Sequence, residues 1–249
     1  MGTVVSFDVR PGRADRGTVF LALAKARAVL HRADAVFSLW KPNSPANRLR
    51  RAEIGLEEAP PEVAEVLDRC RAARDRSGGW FDPWAMPGGV DPTGLVKGWA
   101  AGLALEALVD AGVQAALVSA GGDVALFGEP EPGQRWRIGI QNPFDRATLA
   151  AVAEPTGAIA TSGSYERGLH VVDPHTGQPA SAVASATVTG PDLDMADALA
   201  TALVAGGHDA LHHVETFEGY EALLIGLDGS FTATEGFPEA GRQPGDTDP

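Results

Sequence analysis

The chain has 249 residues, enough for one large domain or two small ones, and its 44% hydrophobic content is that of a globular protein able to bury a substantial core. A formal net charge of −13 repels nucleic acid and anionic lipid, which argues against a DNA-binding or membrane-surface role. The single cysteine, Cys70, rules out an intramolecular disulfide and gives no sign of an oxidising compartment.

Residues 1–8 alternate polar and apolar side chains without the basic-then-apolar pattern of a signal peptide, and no apolar run reaches membrane-spanning length, so the expected location is cytoplasmic. Residues 3–9 read as a strand, and 16–34 carry apolar residues at helical spacing. Two prolines and Asn43 make 41–45 a turn. Over 61–76, Val63, Val66, Leu67 and Cys70 form an apolar stripe on a helix that Gly78-Gly79 ends. A Gly/Pro-dense loop over 81–94 leads to a helix over 96–111 and a strand over 115–119; Gly121-Gly122-Asp123 then opens a strand to Phe127. Further strands are expected over 136–141, 158–162, 169–173, 185–189 and 223–227, with helices over 195–205 and 210–215. Short connections suit antiparallel pairing. With no internal repeat and no clear linker, the economical reading is a single α+β domain over 1–236, with helices on a mainly antiparallel or mixed sheet and a disordered Pro/Gly/Asp-rich tail over 237–249.

Met195-Ala196-Asp197-Ala198-Leu199-Ala200-Thr201 places a carboxylate and a hydroxyl four residues apart, on one face of a helix. That is half of an oxygen site for a hard cation such as magnesium, or else a solvated aspartate beside a core-facing threonine; spacing alone does not choose. On the exposed-carboxylate reading, removing Asp197 leaves the fold intact. Asp91-Pro92-Thr93-Gly94-Leu95-Val96-Lys97 is a loop feeding a helix whose first turn carries a lysine. It fits either a phosphate cradle or an ordinary loop with Asp91 as a cap. Paired glycines before Asp123 make a tight turn or let backbone approach a ligand. His170 heads His170-Val171-Val172-Asp173-Pro174, either an incidental strand histidine or a group placed to move protons near neutral pH.

Taken in order, these segments resemble the ApbE family of FAD:protein FMN transferases. The resemblance starts at Met1-Gly2-Thr3, passes Phe37-Ser38-Leu39-Trp40-Lys41-Pro42, Phe81-Asp82-Pro83, the Asp91 loop, Gly121-Gly122-Asp123, Thr161-Ser162-Gly163 and the His170 segment, and ends at Ala196-Asp197 to Thr201. It implies an ApbE-like, T-fold-related architecture. It further implies an enzyme that binds FAD and Mg2+, joins the FMN portion to a threonine hydroxyl of a target flavoprotein as a phosphodiester, and releases AMP. The metal would take the side chains of Asp197 and Thr201 and a backbone oxygen of Gly94. Met1, Trp40, Phe81, Asp82, Pro83, Asp91, Lys97 and His170 would surround FAD, with His170 the catalytic base.

This chain departs from the family pattern in three ways. Trp40 stands where tyrosine is usual, Pro92-Thr93-Gly94 replaces the commoner Leu-Gly-Gly or Leu-Ser-Ser, and seven residues separate Pro83 from Asp91 where the family carries several dozen. The last leaves a pocket wall missing or rebuilt. The same metal site would serve a hydrolase giving FMN and AMP, and the short loop keeps open a non-catalytic flavin-binding module. Two remaining features have ordinary readings. His208, His212 and His213 have metal-like helical spacing on what reads as an exposed helix, and Asp228-Gly229-Ser230-Phe231-Thr232-Ala233-Thr234 resembles, with one residue too many, an acceptor sequence for such transferases.

Overall fold

The computed structural model describes residues 3–163, 171–180 and 182–239. Helix α1 (Arg16–Phe37) starts at Asp15, whose carboxylate accepts hydrogen bonds from the amides of Gly17 at 2.8 Å and Thr18 at 3.1 Å. It runs three residues past its predicted end because Ala33, Val36 and Phe37 continue the buried stripe of Ala22, Ala26 and Leu30. Beyond the predicted turn lies a six-residue helix, α2 (Pro45–Arg50), which the sequence did not reveal. Pro45 sits in its first turn, and the Ser44 hydroxyl accepts from the Asn47 amide at 3.2 Å. Helix α3 (Pro61–Arg76) has the predicted bounds.

Among the described residues, β1 (Val5–Arg10), β2 (Ala115–Ala120), β3 (Asp123–Phe127), β6 (Ala158–Gly163), β7 (Ser185–Gly190), β8 (Glu221–Ile225) and β9 (Phe231–Ala233) form one antiparallel sheet in that spatial order. Strand alternation divides its two faces. Ala116, Val118, Ala120, Ala160, Ala186 and Leu224 face the helices, whereas Ala115, Val124, Leu126, Ile159 and Leu223 turn the other way. The second face is closed by the hairpin β4 (Ile138–Gln141) and β5 (Leu149–Ala153), with Trp136 and Ile140 in the small core between. Neither β5 nor β9 was predicted. The first is alanine-rich and the second three residues long, so neither carries a strong strand pattern. Of the strand expected over 169–173, residues 169–170 lie outside the described residues; the rest makes one isolated bridge, Val172 to Pro179. Of the tail, residues 237–239 are described, and the Glu154 amide donates to the Pro238 carbonyl at 2.8 Å.

Helix α4 (Thr93–Val109) and helix α5 (Leu193–Gly206) lie on the alanine-lined face, followed by the short α6 (His208–Val214). Apart from Met195 and Thr201, every residue of α5 is buried, so this helix is a core element packed on α4 and on β6 and β7. The α4–α5 approach is set by Gly98: a methyl group there would overlap the Leu193 carbonyl and lie 2.8 Å from the Asp194 α-carbon. A nearby ion pair, Arg69 Nη1 to Asp194 Oδ2 at 2.6 Å, ties the first turn of α5 to α3.

Because Gly98 meets backbone that cannot give way, Gly98→Ala is expected to destabilise the protein by about 2 kcal/mol. In thermal denaturation this appears as a fall in Tm of roughly 4–8 °C. An unchanged Tm would show that the two helices do not meet there.

Candidate functional site

A cleft of about 380 Å³ opens where the start of α4, the middle of α5, the loops after α1 and α3, and the end of β6 converge. Trp40, Phe81, Asp82, Pro83, Asp91, Gly94, Lys97, Asp197 and Thr201 all line it. The remaining two predicted site residues, Met1 and His170, lie outside the described residues.

The loop between α3 and α4 forms one wall. The buried Phe81 ring lies against Gly94, with its Cε2 atom 3.1 Å from where a β-carbon would sit; that same point is 3.7 Å from the Thr201 hydroxyl. Gly94 is thus the small residue that lets the Phe81 ring pack against the start of α4, beside Thr201. The shortened stretch after Pro83 is closed on itself: the Asp91 amide donates to the Pro83 carbonyl at 2.9 Å, and Asp82 Oδ1 accepts from the Trp84 amide at 2.8 Å. Arg50, from the unpredicted helix α2, secures it. Its guanidinium donates to the Gly88 carbonyl at 2.9 Å and to Pro87, and lies 3.5 Å from Asp91. Asp91 also accepts from the Thr93 amide at 3.0 Å and the Thr93 hydroxyl at 2.6 Å, so it holds the entry to α4 while facing the cleft. The result is a compact wall with Met86 facing the cleft. Trp40, 90% exposed, stands at the rim and offers its ring to any planar ligand.

Among the described residues, Lys97 and Asp197 meet on the floor, with Asp123 buried behind the lysine. Lys97 Nζ lies 2.5 Å from Asp123 Oδ2 and 3.9 Å from Asp197 Oδ1. Asp123 is 1% exposed. It follows a turn in which Gly121 and Gly122 take φ of 61° and 97°, conformations that a side chain would strain, and its Oδ1 accepts from the Thr161 amide at 3.1 Å. In the sequence Asp123 stands out only as the end of a glycine turn; the signal for its role is a carboxylate opening an interior strand, where an unpaired charge is not tolerated.

Asp197 corrects the expectation of an exposed carboxylate, for it is only 3% exposed. Its Oδ2 accepts from the Gly98 amide at 3.3 Å. Burial pushes its carboxyl up to about 8, Lys97 opposing the shift and Asp123 adding to it. The spacing of Asp197 and Thr201 placed both on one helical face, but α5 is apolar around nearly its whole girth and gave no sign that this face was interior. The donor set of Asp197 carboxylate, Thr201 hydroxyl and Gly94 backbone is oxygen only, which fits a hard divalent cation whose remaining ligands come from phosphate and water.

The two doubtful features take their ordinary readings. His208 Nε2 is 3.1 Å from the Thr232 hydroxyl, and His212 packs on His213 with ring centroids 3.9 Å apart. Among the described residues no group of three His, Cys, Asp or Glu side chains is placed to hold a metal. In the acceptor-like stretch, Thr234 is buried and its hydroxyl accepts from the Ala222 amide at 2.9 Å, so the folded chain does not present it.

Lys97→Met leaves Asp123 buried without its ammonium. The expected cost is about 3 kcal/mol, toward the lower end for a broken buried pair because Lys97 is partly exposed. Calorimetry should show a Tm fall of roughly 6–12 °C, whereas a wild-type Tm would mean that the pair is not buried.

A sequence model of the ApbE family matches residues 1–88 and 84–224. The FAD:protein FMN transferase of Rhodobacter capsulatus is 36% identical over 155 residues, covering 58% of this chain and 29% of that protein; the one from Vibrio cholerae serotype O1 is 35% identical over 131 residues, covering 48% and 39%. The matched stretches thus span less than half the length of these curated relatives. Among solved structures, the flavin transferase ApbE from Vibrio cholerae aligns with a TM-score of 0.79 at 23% identity, covering 94% of each chain. The apo form of the Pseudomonas stutzeri flavinyl transferase ApbE gives 0.77 at 24% identity, again over 94% of each. These structures share the α+β fold expected from the sequence, and the family model spans most of the chain: the protein belongs to the ApbE family.

Proposed function

We propose that this chain catalyses magnesium-dependent transfer of FMN from FAD to a threonine hydroxyl of a target flavoprotein, releasing AMP, with the cytoplasm as its location. The observation that carries the proposal is the meeting, in one cleft, of Gly94 and Lys97 from α4 with Asp197 and Thr201 from α5, about one hundred residues later in the chain. The relatives' names as FAD:protein FMN transferases support the same reading. A location away from the bilayer is compatible with the described residues, in which no helix is long and apolar enough to cross a membrane.

On this reading Asp197, Thr201 and the Gly94 carbonyl hold the ion, which when bound supplies charge neutralisation for the FAD diphosphate. Lys97 and the opening turn of α4 receive diphosphate oxygens, and Phe81 and Trp40 flank the rings. Asp82, Pro83, Asp91 and Met1 shape the rest of the FAD pocket. His170 takes the proton of the acceptor threonine as its oxygen attacks the FMN phosphorus; the phosphoanhydride bond breaks and AMP leaves. Positioning, rather than covalent chemistry by the protein, does most of the work in such a transfer.

Incubation with FAD, Mg2+ and a peptide bearing Asp-Gly-x-Thr-Gly-Ala-Thr should give AMP together with a peptide heavier by the FMN group. AMP without a peptide mass gain would identify an FAD-cleaving hydrolase, and FAD binding without AMP a flavin-binding module. Asp197→Asn should lower turnover by roughly 100-fold or more, since loss of even outer partners of a metal site costs 10–100-fold. His170→Ala should depress kcat by about 10²–10⁴-fold with little change in the KM for FAD; equal loss in both would reduce His170 to a binding residue.

A further inference from the structure

Among the described residues, Lys97 and Asp197 line the floor of the cleft and the buried Asp123 carboxylate lies behind Lys97, whose ammonium is shared unequally between the two carboxylates. Lys97 Nζ is in direct contact with Asp123 at 2.5 Å but stands 3.9 Å from Asp197. Asp123 is the better anchored of the two. The preceding glycine turn fixes its backbone at the start of β3, and the Thr161 amide fixes its other oxygen at 3.1 Å. Asp197 has the Gly98 amide at a longer 3.3 Å. A lysine on a flexible four-carbon stem goes to whichever carboxylate is offered at the better geometry. Moving about 1 Å would turn the present long approach to Asp197 into a charge-assisted hydrogen bond. An ammonium seated on Asp197 would occupy the oxygen that the proposed ion needs.

The geometry points to Asp123 as a positioning residue that holds Lys97 off Asp197 and so keeps the Asp197 carboxylate open to the divalent cation. It rests on the assignment of Asp197 as a metal ligand made above, and adds to it a reason for the buried aspartate beside Lys97. Asp123 acts through Lys97, and its contribution is to the apparent affinity for the metal. Asp123→Asn isolates the effect. The amide can keep the oxygen that accepts from Thr161, but it presents N–H donors to the ammonium and drives it toward Asp197.

The test is titration with Mn2+ alone, followed by electron paramagnetic resonance, on wild type, Asp123→Asn, Asp197→Asn and the double variant Lys97→Met/Asp123→Asn. Asp123→Asn is expected to bind Mn2+ about tenfold or more weakly, in line with the coupling of close buried charges. The double variant, with no ammonium to misplace, should return to wild-type affinity or better. Asp197→Asn should lose the site. Wild-type affinity in Asp123→Asn would overturn the inference, as would a double variant that stays weak, because Asp123 would then be acting on the fold alone. Wild-type affinity in Asp197→Asn would instead overturn the metal assignment beneath it. Should Asp123→Asn fail to fold, the double variant decides, since removing both partners of a buried pair is tolerated far better than removing one. A crystal structure of Asp123→Asn gives a metal-free check: Lys97 Nζ within about 3 Å of Asp197 supports the inference, and an ammonium still beside Asn at that position refutes it.

Discussion

The contact between α4 and α5 at Gly98 is the constraint on which the site depends. Two helices can approach so closely only where one offers bare backbone, and the Gly98 α-carbon supplies it against Leu193 and Asp194. One turn N-terminal to that contact is Gly94, one residue before it is Lys97, and across from it are Asp197 and Thr201. The same small-residue strategy continues onto the sheet, whose helix-facing side is mostly alanine and lets α5 settle deep in the core. The cleft-facing side of the two helices is therefore set by packing, and the loops complete it.

Burying that face has an electrostatic consequence. Asp123 and Asp197 are both buried, and among the described residues the partly exposed Lys97 lies between them. Burial makes the Asp197 carboxyl resist ionisation, and in the proposed chemistry a divalent ion would relieve it. The negative charge of the chain, −13 overall, acts in the same direction: on the proposed reading, cations assembled at the floor would have to offset it for a diphosphate to enter. Metal, lysine and helix start then share one task in the proposed chemistry, which is to make a polyanion comfortable in an acidic protein.

Much of this was legible in the sequence, and the exceptions have physical causes. Helix α3 was read with its observed bounds because proline marks its start, paired glycines its end, and a clean apolar stripe its inner face. Phe81, Gly94, Lys97 and Asp197 were found as a group through the order of motifs, not through any local pattern. Helix α2 stayed hidden because it is a turn and a half long and opens with the Pro and Asn residues that signal a loop. Its Arg50 secures the short loop between Pro83 and Asp91, so the helix that the sequence hides helps to hold one wall of the cleft. The burial of Asp197 was hidden for the opposite reason: in a helix apolar all round, periodicity carries no direction. The Lys97 to Asp123 pair joins residues on different elements, which spacing along the chain does not report.

The central claim is that α4 and α5 together form an oxygen site for a divalent ion that receives FAD. Anomalous diffraction from crystals grown with Mn2+ and FAD tests it most directly. The account predicts a manganese peak about 2.0–2.4 Å from an Asp197 carboxylate oxygen, the Thr201 hydroxyl and the Gly94 carbonyl, with FAD phosphate oxygens completing the shell. A peak elsewhere, or bound FAD with no metal against Asp197, would contradict it.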